Sequence, residues 1–110
     1  MSDFDLTIEQ RGDRVLVNLR GELDISTGMR LEADLERLER ERPEVIVLDL
    51  RGLDFMDSTG LRIIINADAR AREGGRRFVL IRGNDMVQRL LSVTRLDERL
   101  EIVDASVYAA

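Results

Sequence analysis

Phe4, Leu6 and Ile8 alternate with polar residues, and Val15, Val17 and Leu19 repeat the alternation on the far side of Gly12-Asp13. A period of two on both sides of a turn-forming pair predicts a β-hairpin. After Gly21 the spacing becomes helical: Leu31, Leu35 and Leu38 fall at i, i+4 and i+7, Ser26 or Thr27 supplies a polar start, and Pro43 lies beyond the end. This predicts a helix over about Thr27 to Glu41. Its Glu36 and Arg40 stand four apart, and the charge around them reads as a solvated face.

Val45 to Leu50 is a nearly continuous apolar run of strand length, the signature of a strand covered on both faces in a parallel sheet. Arg51 to Asp57 reads as a loop. A second helix is expected over about Ser58 to Glu73, with Ser58 as a favourable cap type and Gly74-Gly75 as the stop. Phe78 to Ile81 gives the next strand, Asn84 or Asp85 can cap a short helix through Leu91, and Leu100 to Val103 forms a last strand before a helical tail. Strands alternating with helices after an opening hairpin predict an α/β fold with a mixed sheet. No internal repeat, linker or low-complexity stretch is read, so residues 1–110 are expected to form a single domain.

Composition then narrows the chemistry. Cys, His and Trp are absent, which removes disulfides, Cys/His metal sites and Ser-His or Cys-His dyads. All 17 basic residues are Arg, and against 22 acidic ones they leave a net charge of −5, which disfavours direct nucleic-acid binding. The scattered aromatics form no base-stacking platform. The pure apolar runs Val45 to Leu48 and Ile63 to Ile65 are too short to span a bilayer, and the opening MSDFDLTIEQ is unlike a signal peptide. The expected setting is the cytoplasm, away from membranes, with no metal or cofactor and with action through another protein.

The segment Asp54 to Leu61, Asp-Phe-Met-Asp-Ser-Thr-Gly-Leu, lies between a buried strand and a helix start, where open α/β sheets place their sites. Its plainest reading is a cap, with Ser58 accepting a first-turn amide and Gly60 allowing close helix–sheet packing. A nucleophilic serine lacks a base, since the chain has neither His nor Lys. A phosphate cradle lacks the usual glycines, and Asp57 beside the helix start would repel the phosphate. What remains is an accessible hydroxyl at a helix N-terminus, where an added phosphate gains amide partners and the positive end of the dipole.

On a helical wheel Gly60, Ile63, Ile64, Ala67 and Ala71 form the expected core stripe, while Leu61, Arg62 and Ile65 fall on the side of Ser58. Apolar residues beside a modifiable serine suit a docking patch; a wide core stripe that includes Leu61 explains them equally well.

The runs LDLRGLDFMDSTGL, RGELDIST and MVQRLLSVTRLDERLEIV together resemble a STAS domain of the anti-sigma factor antagonist type, over nearly the whole chain. The resemblance implies a mixed central sheet with helices mainly on one face. It also implies a regulatory rather than catalytic protein: an anti-sigma factor serine kinase phosphorylates Ser58, the unphosphorylated form binds that kinase and releases sigma factor, and a metal-dependent serine phosphatase restores it. By the same resemblance Asp57 precedes the acceptor and Asp24 lies on the neighbouring loop of the kinase-binding surface. The expected contact set is thus Asp24, Ser26, Thr27, Asp57, Ser58, Thr59, Gly60, Leu61, Arg62 and Ile65. Asp24 reads equally as a turn or capping residue. Arg95 stands where such proteins often carry Gly after Thr, and the tail is short for a full final helix. Other readings at this point are a STAS subunit docked constitutively on a transporter ATPase or larger signalling complex, a nucleotide sensor, and an enzyme.

Overall fold

The computed structural model describes residues 3–108. Strands β1 (Phe4–Arg11) and β2 (Arg14–Leu23) form the expected antiparallel hairpin, with Gly12 in the left-handed region at φ 63°. Helix α1 (Ile25–Glu39), β3 (Val45–Met56), α2 (Ser58–Glu73), β4 (Arg77–Ile81), α3 (Asp85–Val93), a short 3-10 turn (Leu96–Glu98), β5 (Glu101–Val103) and α4 (Ala105–Tyr108) follow. The sheet order is β1-β2-β3-β4-β5, antiparallel at β1/β2 and parallel elsewhere.

Because the parallel strands are added in sequence order in one direction, crossovers of a single hand place α1, α2 and α3 on one face. There Leu31, Leu35 and Leu38 of α1, Ile63, Ile64 and Ala67 of α2 and Val87 and Leu91 of α3 meet Val17, Leu19, Ile46, Leu48 and Leu80 of the sheet in one core. The opposite face buries a smaller cluster of Leu16, Val47, Val79 and Ile81, against which Ala105 and Tyr108 of the tail pack. Residues Ile46 to Leu50 are all buried, as their unbroken apolar run predicts; the exception in character is Asp49, whose carboxylate accepts from the backbone N–H and guanidinium of Arg51.

The segment expected as a loop, Arg51 to Asp57, is instead mostly strand. β3 runs on to Met56 because β2 also runs on, and Arg20 to Leu23 pair with Gly52 to Met56 through two register shifts. Gly21 makes the irregularity possible: its φ is 94°, and a Cβ there would lie 1.8 Å from the Asp3 carbonyl oxygen. Leu53 and Met56 point into the core. Helix α1 begins at Ile25, earlier than expected, because Asp24 rather than Ser26 or Thr27 is its cap, and it ends at Glu39, with Arg40 as C-cap and Arg42 in the left-handed region at φ 52°. Helix α3 continues past Leu91 to Val93.

Candidate functional site

β2 and β3 end side by side, with Leu23 paired to Met56, and each passes after one residue into a helix. That one residue is an aspartate both times. Asp24 caps α1, accepting from the amides of Ser26 at 2.9 Å and Thr27 at 3.2 Å and from the Ser26 hydroxyl at 2.7 Å. Thr27 completes a capping box by accepting from the Asp24 amide at 3.0 Å, and its hydroxyl donates to the Glu22 carbonyl at 2.8 Å. The Ser26 hydroxyl is the main cause that holds the Asp24 carboxyl below its ordinary value, with the Thr27 and Ser26 amides adding to it against some desolvation.

Asp57 caps α2, accepting from the Thr59 amide at 2.9 Å. The cap is therefore Asp57, and Ser58, expected as the cap, is the first helical residue. The two elbows are tied together: the Asp57 amide donates to the Leu23 carbonyl at 3.2 Å. α1 abuts α2 at Gly28, and α2 sits on the strand ends at Gly60. A Cβ on Gly28 would fall 3.0 Å from Thr59 Cγ2 and 2.9 Å from Ile63 Cδ1; one on Gly60 would fall 2.6 Å from Met56 Cγ.

Set one above the other, the elbows read Asp24-Ile25-Ser26-Thr27-Gly28 and Asp57-Ser58-Thr59-Gly60. The chain thus repeats a Ser-Thr-Gly step at the two helix starts. The extra Ile25 pushes Ser26 one position deeper into its helix, where the Asp24 carboxylate holds its hydroxyl. Ser58 follows Asp57 directly, is exposed, and makes no side-chain hydrogen bond to the other described residues. Thr59 is half-buried against Gly28.

The remaining expected contact residues divide. Arg62 is exposed and pairs with Glu32 of α1 at 3.7 Å. Leu61 is 7% exposed and belongs to the main core, and Ile65 is half-buried against it. Two residues outside the expected set stand out instead: Ile25 and Met29 are 76% and 79% exposed at the start of α1. Their signal in the sequence is that neither fits the Leu31, Leu35, Leu38 stripe.

Cavities of about 750, 640 and 160 Å³ are lined by none of Asp24, Ser26, Asp57 or Ser58. The elbow pair is an open surface, suited to a macromolecule more than to an enclosed small ligand. Among the described residues no His/Cys/Asp/Glu group is arranged to hold a metal, and no helix is long and apolar enough to cross a membrane.

A family model described as Mlab, STAS domain, matches residues 6–104. The Anti-sigma F factor antagonist of Paenibacillus polymyxa is 36% identical, the alignment covering 96% of this chain and 93% of that one. Among solved structures, an anti-sigma factor antagonist from Mycobacterium paratuberculosis superposes with a TM-score of 0.84 at 22% identity, covering 91% of this chain and 85% of the other. The anti-sigma factor antagonist SpoIIAA shares the fold in its unphosphorylated form, with a TM-score of 0.79 at 18% identity over 93% of this chain and 90% of that one, and the Bacillus SpoIIAA in its phosphorylated form does so with a TM-score of 0.71 at 19% identity over 94% of each chain. A sheet of this order, a capped elbow bearing Asp57-Ser58-Thr59-Gly60 and a family match over nearly the whole length lead to one conclusion: the chain belongs to the STAS domain family.

Proposed function

We propose that the chain is an anti-sigma factor antagonist that acts by binding in the cytoplasm: unphosphorylated, it engages an anti-sigma factor serine kinase and frees the sigma factor, and phosphorylation of Ser58 ends the engagement until a serine phosphatase reverses it. The observation that carries this reading is Ser58 itself, exposed at the first position of α2 with its hydroxyl uncommitted, while Ser26 in the twin elbow is held by Asp24 and Thr59 is packed against Gly28. A kinase needs an acceptor oxygen that can move onto the γ-phosphorus of ATP. Of these three hydroxyls, Ser58 meets that demand. The transfer forms the Ser58 Oγ–P bond and breaks the bond from the γ-phosphorus to the bridging oxygen, ADP leaves, and the hydroxyl proton passes to the kinase's base.

The local structure also explains how the modified form persists. The phosphate sits at a helix start, where first-turn amides and the dipole favour an anion. The relative from Paenibacillus polymyxa, named for action on an anti-sigma factor, and SpoIIAA, solved with and without phosphate, support the assignment.

The test is a competition. A purified anti-sigma–sigma complex is challenged with the unphosphorylated chain and, separately, with the Ser58-phosphorylated chain. Sigma release by the first and not by the second is expected; an intact complex in both rejects the proposal.

A further inference from the structure

We infer that Ile25 and Met29 are the apolar centre of the surface that grips the anti-sigma factor, and that the partner presents an apolar socket rimmed by cationic side chains. The inference rests on the function proposed above. Ile25 and Met29 stand one turn apart on α1, and both are more than three-quarters exposed, 76% and 79%. They are not stray members of the core stripe. Gly28, Glu32 and Glu39 mark the edge of α1 that faces α2, through Thr59, Arg62 and Arg70 respectively. Arg30, paired with Asp5, marks the edge toward β1. At 100° per residue Ile25 and Met29 lie on the outward side of the α2-facing edge. Ile25 is the first residue of α1 as Ser58 is of α2, and those two helix starts abut, so the pair continues the surface that holds the acceptor.

Charge identifies the occupant. Glu32, the next acidic residue along this edge of α1, is neutralised within the molecule by Arg62. At the elbow end Glu22, Asp24, Asp54, Asp57 and Asp85 have no ion-pair partner among the described residues. An apolar pair beside the unpaired carboxylates that cap the two abutting helix starts, Asp24 and Asp57, is complementary to an apolar socket flanked by cationic side chains. A second copy of this chain would bring the same carboxylates against it, which disfavours self-association.

The experiment titrates the anti-sigma serine kinase, calorimetrically, with the wild-type chain, Ile25→Ser, Met29→Ser and the double variant, at about 50 and 300 mM salt. Each single variant should bind about tenfold more weakly and the double variant more weakly still, as for central apolar anchors. Melting temperatures should not move, because these side chains are already in water. Wild-type affinity should fall as salt rises. Equal affinity of the double variant for a kinase that binds and phosphorylates the wild type overturns the inference and leaves the proposed function standing. A wild type neither bound nor phosphorylated removes both. Wild-type dimers in sedimentation that dissociate on Met29→Ser would reassign the pair to self-association and also overturn it.

Discussion

The Ser26 hydroxyl donates to the Asp24 carboxylate at 2.7 Å, a bond that Ser58 does not make to Asp57 in the second Ser-Thr-Gly elbow. One residue of spacing, Ile25, converts a presentable hydroxyl into part of a helix cap. Incubation with the anti-sigma kinase and Mg-ATP should therefore add one phosphate. Intact-mass and tandem mass spectra should place it on Ser58, and Ser58→Ala should carry none. Label on Ser26 or Thr59 in that variant would show that spacing does not select the acceptor.

Asp24 has two roles that substitution can separate. Asn is as good an N-cap as Asp, so Asp24→Asn should keep α1 intact and the melting temperature nearly unchanged, while loss of the charge weakens kinase binding. Asp24→Ala removes the cap as well, at a cost of about 1 kcal/mol, or roughly 4 to 8 °C in a domain of this size. The pH dependence follows in sign. Folding lowers the Asp24 pKa from its ordinary 3.8, so the unfolded state binds the proton more readily. The stabilisation is complete above the ordinary value and is lost as pH falls through the lowered one. The stability difference between wild type and Asp24→Asn should thus be flat at neutral pH and change only in acid, below about 4, which chemical denaturation across a pH series would reveal.

The seat of α2 on the ends of β2 and β3 is close enough to be probed by a single methyl. Gly60→Ala places a carbon 2.6 Å from Met56 Cγ and 2.9 Å from Leu23 Cδ2. Overpacking of this kind costs about 1 to 3 kcal/mol and outweighs the gain of about 1 kcal/mol that Ala otherwise brings to a helix. Leu61→Ala should cost more, about 2 to 5 kcal/mol, because Leu61 is a core residue. Urea unfolding measures both. A Leu61→Ala loss below about 0.5 kcal/mol, the size typical of surface positions, would return that side chain to the surface.

The turn after α3 sets residue type against backbone conformation. Arg95 adopts φ 60°, the left-handed conformation that Gly occupies most cheaply. A non-Gly residue there costs about 1 to 2 kcal/mol, and Gly loses back about 0.5 to 1 in unfolded-state entropy. Arg95→Gly should accordingly stabilise the protein by about 0.5 to 1 kcal/mol. A measured loss would mean that the Arg95 side chain contributes more than its backbone strain removes.

The left-handed turn at Arg95 was not legible locally, because Arg is not a residue type that marks such a turn. The hairpin about Gly12-Asp13, the buried run of β3 and the extent of α2 were legible, since each depends on its own period or its own breaker. The strand character of Arg51 to Met56 was not, because it depends on Arg20 to Leu23 more than 30 residues earlier, whose pairing no local pattern reports. The cap of α2 fell one residue before the expected Ser58, while at α1 the capping reading of Asp24 held and the helix start moved forward from Thr27. Asp, Ser and Thr are all good caps, and the choice among them is set by where β2 and β3 end. Of the site, Ser58 and Asp24 could be named from motif and position. The exposed pair Ile25 and Met29 required knowing which edge of α1 meets α2.

Phosphorylation should switch binding at the interface and leave the fold in place. Phosphoserine carries about −2 charge, and the kinase that has just made it holds ADP, whose phosphates are the nearest anions to the acceptor. Against one unit charge about 5 Å away, the repulsion is ~2 kcal/mol at water's dielectric and ~7 kcal/mol at an effective value of 20. The smaller figure alone exceeds a tenfold loss of affinity. Within the chain the balance differs: Asp57 repels the phosphate, but the first turn of α2 attracts it by roughly 0.3 to 1 kcal/mol, and the helix is anchored by the burial of Ile63, Ile64 and Ala67. The Ser58→Asp variant, with half the charge and a shorter reach, should weaken binding in the same direction by a smaller factor, and Ser58→Ala should bind as wild type does. Calorimetric affinities of the three forms in the presence of ADP, with far-UV circular dichroism and amide exchange over α2, check each part. Loss of α2 protection on phosphorylation, or an affinity that does not change, would reject a switch made at the interface.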